Sequence, residues 1–457
     1  MFNAIKCKFA NFVLDRRFSE IMIGSAWAMS ARIVATCFGV VISIIIARAY
    51  GAEVVGTVAV LQSFLMLTTI FTVLGTDTSM LRLIPEHLVK YSTSSAFNIY
   101  NRTQLLVITV SLITGTLFYF ASDLIADRVF SKPHLSFYFA LGSVFIVFNA
   151  LKQLNTQAVR GLRLIKTFAF MQMLPQGFNL LILVFLGLLW PTQDVPIYAL
   201  FGGFSVAGII GCIIMNISFR RRMEPDDQVQ RIPVRTILSI SLPMLMTSSM
   251  TFVMSQTGVI LLSMFRSEAE VGYYAIAVKL AALTTFILTA VNFMVAPKFS
   301  ELFHSNNMEE LFYVAKKSAK LIFWTTTPIL IGFVVFGKPL LQVAFGHEFT
   351  VAYLALVLLA MGQLVNAISG ATALFMNMTG NQNVFRNIVF FAAAINVGIN
   401  LLLIPRYGIN GAATAAMISI VAWNITTLFY VKLKFGSTTG YVPMPGWLVR
   451  QTKKKRA

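Results

Sequence analysis

The stretch VGYYAIAVKLAALTTFILTAVNFMVA runs from Val271 to Ala296. About 20 apolar residues are enough to cross the hydrocarbon core of a bilayer as a helix. This segment is long enough, yet it carries a lysine, Lys279, well inside. A charge at the centre of a membrane helix costs about 2.5–3.5 kcal/mol on insertion scales, so it normally faces protein or water rather than lipid. The stretch therefore reads as a membrane helix with one face turned toward a polar interior.

The rest of the chain fits that reading. Of its 457 residues, 57% are hydrophobic and only 12% charged, and the mean hydropathy is +0.77. A soluble domain carries about 25% charged residues, so this apolar surplus needs lipid as its solvent. Twelve spans follow, near 22–47, 54–75, 103–121, 135–154, 167–190, 197–218, 236–263, 271–296, 321–337, 351–376, 386–404 and 412–432. The charged, proline-containing stretch FRRRMEPDDQVQRIPVR (219–235) divides them into an N-terminal six-helix bundle (21–218) and a C-terminal one (236–432). Residues 1–20 read as an interfacial N-terminal segment, with FNAIKCKFANFVL (2–14) as its short helix. Residues 433–457 read as a basic tail ending in KKKRA, which suits attraction to anionic membrane lipids. The fold class is an all-α polytopic membrane protein.

The formal charge of +19 is not a nucleic-acid signal here. About 28 of the 36 Lys and Arg residues fall in the termini, the 219–235 linker and the connections on the same side as these, and about 6 on the other side. The positive-inside rule then places both termini in the cytoplasm. Two cations remain within spans, Arg32 and Lys279. The three cysteines, Cys7, Cys37 and Cys212, and the four histidines form no disulfide framework, metal set or catalytic triad. No cofactor is called for.

The halves echo each other. GTVAVLQSFLMLTTIF from Gly56 aligns without gaps on GYYAIAVKLAALTTFI from Gly272, matching Leu67-Thr68-Thr69 with Leu283-Thr284-Thr285. Each segment is the second span of its half. An even number of spans per half gives the copies the same orientation, so the axis relating them runs along the membrane normal, as in some transporters.

A helix turns about 100° per residue. On that wheel Lys279 shares a face with Gly272, Ala275, Ala282 and Thr289, while Ile276, Leu280, Leu283 and Ile287 lie opposite, where they suit lipid. Arg32 shares a face with Ser25, Ala28, Ala35, Thr36, Gly39 and Ser43. Small and hydroxyl residues are favoured at helix contacts and cavities, so both cations point inward. Two other readings stand beside this one: Lys279 snorkels to the nearer surface, or each cation has a buried carboxylate partner. No Asp or Glu falls inside a span. The nearest are Asp77, spaced to pair with Arg82, and Glu301. An inward cation without a counter-ion suggests an anionic ligand. Asp77, Arg82, Asn292, Gln363, Asn396 and Asn400 are further polar candidates for the same substrate site, with helix–helix hydrogen bonding as the alternative for the amides. Pro175, Pro243 and Pro328 lie within spans and suit kinks.

EVGYYAIAVKLAALTTFILTAVNFMVAPKFSELF (270–303) and LLLIPRYGINGAATAA (401–416) resemble bacterial polysaccharide-export membrane proteins of the O-antigen flippase type. ARAYGAEVVGTVAV (47–60) and LGTDTSMLRLIPEH (74–87) fit the same family, a branch of the multidrug/oligosaccharidyl-lipid/polysaccharide export superfamily. The resemblance runs from about residue 20 to 435. It implies a V-shaped pair of six-helix bundles around a central cavity, working by alternating access in the bacterial inner membrane. The implied substrate is a polyprenyl-pyrophosphate-linked oligosaccharide, flipped from the cytoplasmic to the periplasmic leaflet. Arg32 and Lys279 would meet its pyrophosphate. A monomer is expected, with a downstream polysaccharide polymerase as a partner. A drug/cation antiporter on the same fold, a membrane polymerase and a glycan-assembly scaffold are the competing readings.

Overall fold

In a computed structural model, residues 16–223, 229–230 and 232–441 are described. The interfacial helix read at 2–14, the centre of the linker and the basic end of the tail lie outside them. The chain is built from α1 (Arg16–Val73), α2 (Thr76–Lys90), α3 (Thr93–Phe120), α4 (Ser136–Gly161), α5 (Ile165–Leu189) and α6 (Val195–Arg220). After the linker come α7 (Val234–Phe265), α8 (Glu268–Leu283), α9 (Thr285–His304), α10 (Met308–Ala344), α11 (Tyr353–Ser369), α12 (Thr372–Met378) and α13 (Gln382–Phe435). Among the described residues there is no strand.

Among the described residues ten helical runs are long and apolar enough to cross a membrane, and two of them are long enough to cross twice. The run Ala26–Val73 has 48 residues, roughly 72 Å at 1.5 Å per residue, against about 30 Å of hydrocarbon. It breaks at Gly51, where φ is 82°. The 54-residue α13 breaks at Gly408, where φ is 53°. Both angles lie in the left-handed region that glycine enters at no steric cost. In α13 the return is direct. Asn396 Nδ2 donates to Ser419 Oγ at 3.0 Å, a contact no straight helix allows between residues 23 apart. Twelve crossings result.

The helices differ from the expected spans mainly at their ends. α10 starts at Met308 rather than near 321, because an Asn307 cap and a buried stripe including Leu311, Phe312 and Ala315 extend it. The span read at 351–376 breaks at Gly370 (φ 60°), whereas the 271–296 span lies inside the single run Glu268–His304, with Thr284 between α8 and α9 still helical in φ and ψ. α8 is also not lipid-facing on its aliphatic side. Ile276 and Leu280 are buried in a core cluster that holds residues of both halves. Ile276 also lines the chamber beside Lys279, together with Ala275 and Ala282, so the two faces of the wheel are not cleanly separated in this central helix.

Call the side carrying the Gly51 and Gly408 turns the turn side, and the side carrying residues 219–235 the linker side. On the turn side the halves are joined. Arg48 Nε donates to the Ala344 carbonyl at 3.2 Å, and its other arm reaches Val343 O, so a guanidinium of the first half caps the negative end of α10. Lys132 and His134 meet Glu268, in the first turn of α8, at 3.3 and 2.9 Å. Between these lies a backbone crossing. A Cβ on Gly56 would fall on the Glu268 carbonyl, and one on Gly272 would fall on the Ala52 carbonyl. Ala52 and Glu268 bear the same relation in the repeat alignment as Gly56 and Gly272, so the contact is reciprocal. Toward the linker side the packing separates into one cluster around Met80, Tyr100, Leu154 and Phe219 and another around Phe299, Leu311, Phe375 and Val431. α7 spans the gap. Its start packs on the first half, where Ser241 Oγ lies 2.8 Å from Ser79 Oγ, and its end joins α13.

Candidate functional site

Where the halves face each other they enclose a chamber of about 660 Å³, a volume ordinary for ligand pockets, which run about 300–1,000 Å³. Both arms of α1 line it, with α4, α5, α6, α7 and α8. Three cations stand in its wall: Arg32 on α1, Lys152 on α4 and Lys279 on α8. Among the described residues its lining includes no Asp or Glu. Gln62, Gln153, Gln157, Gln172, Gln176 and Gln256 also line it, with Asn149, Asn179 and several hydroxyl residues.

Lys279 is placed by the opposite half. Its Nζ donates to the Gly39 carbonyl at 2.9 Å and to Ser43 Oγ at 2.5 Å. An ammonium has three donors, so one is left for the chamber. The repeat equivalent of Lys279 is Ser63, whose hydroxyl instead donates to Gln256 Oε1 at 2.8 Å. The two aligned positions thus differ, with an amide contact in one half and a charge in the other. Lys152 Nζ stands 4.2 Å above the Phe204 ring, a cation–π contact. Among the described residues neither lysine has a carboxylate within ion-pair distance. Arg32 is exposed within the chamber wall.

A second chamber of about 350 Å³ adjoins the first and shares Met66, Asn149, Lys152, Gln153 and Ser255 with it. Asp77 stands in its wall, accepting from Gln153 Nε2 at 3.1 Å. The spacing that suggested an Asp77–Arg82 pair does not produce one. Five residues turn a helix by about 500°, which puts the two side chains on different faces. Arg82 pairs instead with Glu86, four residues on, at 3.7 Å, on the exposed surface of α2.

The remaining sequence candidates lie away from both chambers. Asn396 and Asn400 share a face as their spacing requires, and both are buried. Asn396 reaches across the α13 hairpin, and Asn400 Nδ2 donates to the Asn396 carbonyl and amide oxygens at 2.8 and 3.0 Å. Gln363 Oε1 accepts from Asn366 Nδ2 at 3.1 Å. Asn292 is half-buried on α9 and lines neither chamber. Asn396→Ala should therefore act on stability: loss of one interhelical hydrogen bond in a membrane protein costs about 0.6 kcal/mol on average, read as a lower thermal midpoint in detergent.

Lys152 is a third cation within a span: it lies near the end of the 135–154 stretch and is one of the 28 basic residues counted above with the linker-side connections. The helix continues to Gly161, so Lys152 sits more than two turns inside it. Its signal was present in the spacing: Asn149, Lys152, Gln153, Thr156 and Gln157 follow helical periodicity and all line the first chamber.

Twelve crossings around a cation-lined chamber define a multi-pass membrane protein with an internal binding space. The chain belongs to the family described as "Polysaccharide biosynthesis protein", whose model matches residues 45–354. It is similar to the probable low-salt glycan biosynthesis flippase Agl15 of Haloferax volcanii, 24% identical over 249 residues, 53% of this chain and 51% of that one. The probable flippase AglR of the same organism is 27% identical over 170 residues, 36% of this chain and 35% of its own. The matched part thus spans about a third to a half of these curated relatives. Among solved structures, the lipid II flippase MurJ in an inward closed conformation superposes with a TM-score of 0.70 at 15% identity, covering 90% of this chain and 87% of that one. An inward-facing multidrug resistance transporter of the MATE family also gives 0.70 at 15% identity, with 90% and 98% covered. At these identities the likeness is one of fold.

Proposed function

We propose that the chain is a flippase for polyprenyl-pyrophosphate-linked oligosaccharide units of the O-antigen or a similar surface polysaccharide. The observation that carries this reading is the charge of the main chamber: three cations from three helices, and no carboxylate among its described lining residues. An arginine can bind two phosphate oxygens at once, and a lysine acts as a movable point charge. The amides that fill the wall suit sugar hydroxyls, and the polyprenyl tail stays in lipid. A drug/cation antiporter would place acids where these cations stand. The matched family and the curated flippase relatives support the same reading.

The positive-inside rule makes the linker side cytoplasmic. The contacts at Arg48, Gly56 and Glu268 then close the periplasmic end, and the headgroup enters from the cytoplasm. An inside-negative potential favours outward movement of an anion by about 2.3 kcal/mol per charge per 100 mV, which gives the cycle a direction without an intramembrane carboxylate relay.

Purified full-length chain in vesicles, loaded with polyprenyl-pyrophosphate oligosaccharide in one leaflet, tests this. Glycan should become accessible to an external glycosidase faster than in protein-free vesicles, and collapse of an imposed potential should slow it. Equal rates with and without protein, or uptake of a cationic dye in its place, would remove the flippase reading.

A further inference from the structure

The second chamber differs in chemistry from the first. Asp77 is the carboxylate in its wall, and among the described residues it forms no ion pair. Its recorded partners are Gln153 Nε2 at 3.1 Å and Thr78 Oγ1 at 3.4 Å. A carboxylate accepts about four hydrogen bonds, so acceptor capacity remains. Opposite, Ser248, Thr251 and Ser255 of α7 follow at helical spacing and line the same space. Asn149, only 3% exposed, lines both chambers. Its amide N–H groups donate to Leu65 O and Thr69 Oγ1, which fixes its orientation, and its Oδ1 has no partner.

We propose that this chamber holds a sugar next to the diphosphate, and that Asp77 makes it a selector for neutral or amino sugars against acidic ones. The inference rests on the diphosphate reading of the first chamber. Lys152 and Gln153 stand in the walls of both, so one ligand can reach from the cations to the carboxylate. Sugar hydroxyls donate to Asp77, and an ammonium on the sugar gains a charge partner there. A uronic acid brings a second carboxylate toward the first and is repelled.

The test uses full-length purified protein and four soluble probes: farnesyl diphosphate alone, and farnesyl diphosphate linked to glucose, glucosamine or glucuronic acid. Binding is measured by calorimetry. Wild-type protein should prefer glucosamine to glucose and bind the glucuronic acid probe at least about tenfold more weakly than the glucose probe, a difference of about 1.4 kcal/mol. In Asp77→Asn the ratio of the glucose and glucuronic acid affinities should fall to near one. Equal affinities in the wild type, or a ratio unchanged in the variant, overturn the proposal. The wild-type series decides it alone if the variant does not fold. Failure of farnesyl diphosphate itself to bind would instead refute the diphosphate chamber, and this inference with it.

Discussion

Neutralising Arg32, Lys152 and Lys279 together should abolish glycan translocation in vesicles while the protein still inserts and stays monodisperse. A hydrogen bond to a charged group contributes about 1.5–3 kcal/mol, so each single alanine change should slow transport roughly tenfold to a hundredfold. Lys152→Ala is expected to be the most damaging single change, because Lys152 stands where the two chambers meet. The structural cost should be small. Lys152 is held by a ring contact, and with Lys279 removed Ser43 Oγ still donates to the Gly39 carbonyl at 3.0 Å. Arg32→Lys should be milder than Arg32→Ala, since it keeps the charge and loses only the two-pronged geometry. Flipping rate and membrane abundance, measured side by side, check this. A well-expressed triple variant that transports at the wild-type rate would take the three residues out of the site.

The second large effect is expected at the backbone crossing. Gly56→Val or Gly272→Val places side-chain atoms where a carbonyl of the other half now lies. Backbone cannot rotate out of the way as a long side chain can, so the closed arrangement of the turn side is lost rather than adjusted. Transport should fall to background. The conformation can be followed with a cysteine at Ala59, which lines the main chamber, in a chain lacking its own cysteines. An impermeant maleimide added on the turn side should label it slowly in the parent and at least about tenfold faster with Gly56→Val, a shift of about 1.4 kcal/mol or more in the opening equilibrium. Unchanged labelling in a correctly inserted variant would show that the Arg48 and Glu268 contacts seal that side by themselves.

Much of this molecule was readable from residues alone, for definite reasons. Hydropathy located the crossings because lipid forces every span to be apolar and helical. Lys279 and Arg32 were found because they interrupt such spans. Lys152 was not, because it falls within two residues of the end of the 135–154 span and was counted with the basic residues that follow it, whereas the helix runs on to Gly161. The polar spacing on either side of it was the available clue. Asp77 was noticed for the wrong partner, since sequence proximity drew it toward Arg82 while the fold put it beside Gln153, 76 residues away. The lipid-facing role given to Ile276 and Leu280 failed because a helical wheel separates faces without saying what covers each one. Asn396 and Asn400 share a face as their spacing requires, but only the hairpin at Gly408 shows that Asn396 binds helix to helix while Asn400 binds Asn396.

The repeat alignment and the glycine crossing have a joint consequence. Positions that are copies of one another, and that also touch reciprocally, must lie close to the axis relating the copies, as the matching patches of a symmetric dimer do. The ancestral unit of six helices would then have been a protein that paired with itself, with its Gly56 meeting the same glycine of a twin. Fusion of two such units would make that pairing permanent and free the copies to diverge, as Ser63 and Lys279 differ at aligned positions.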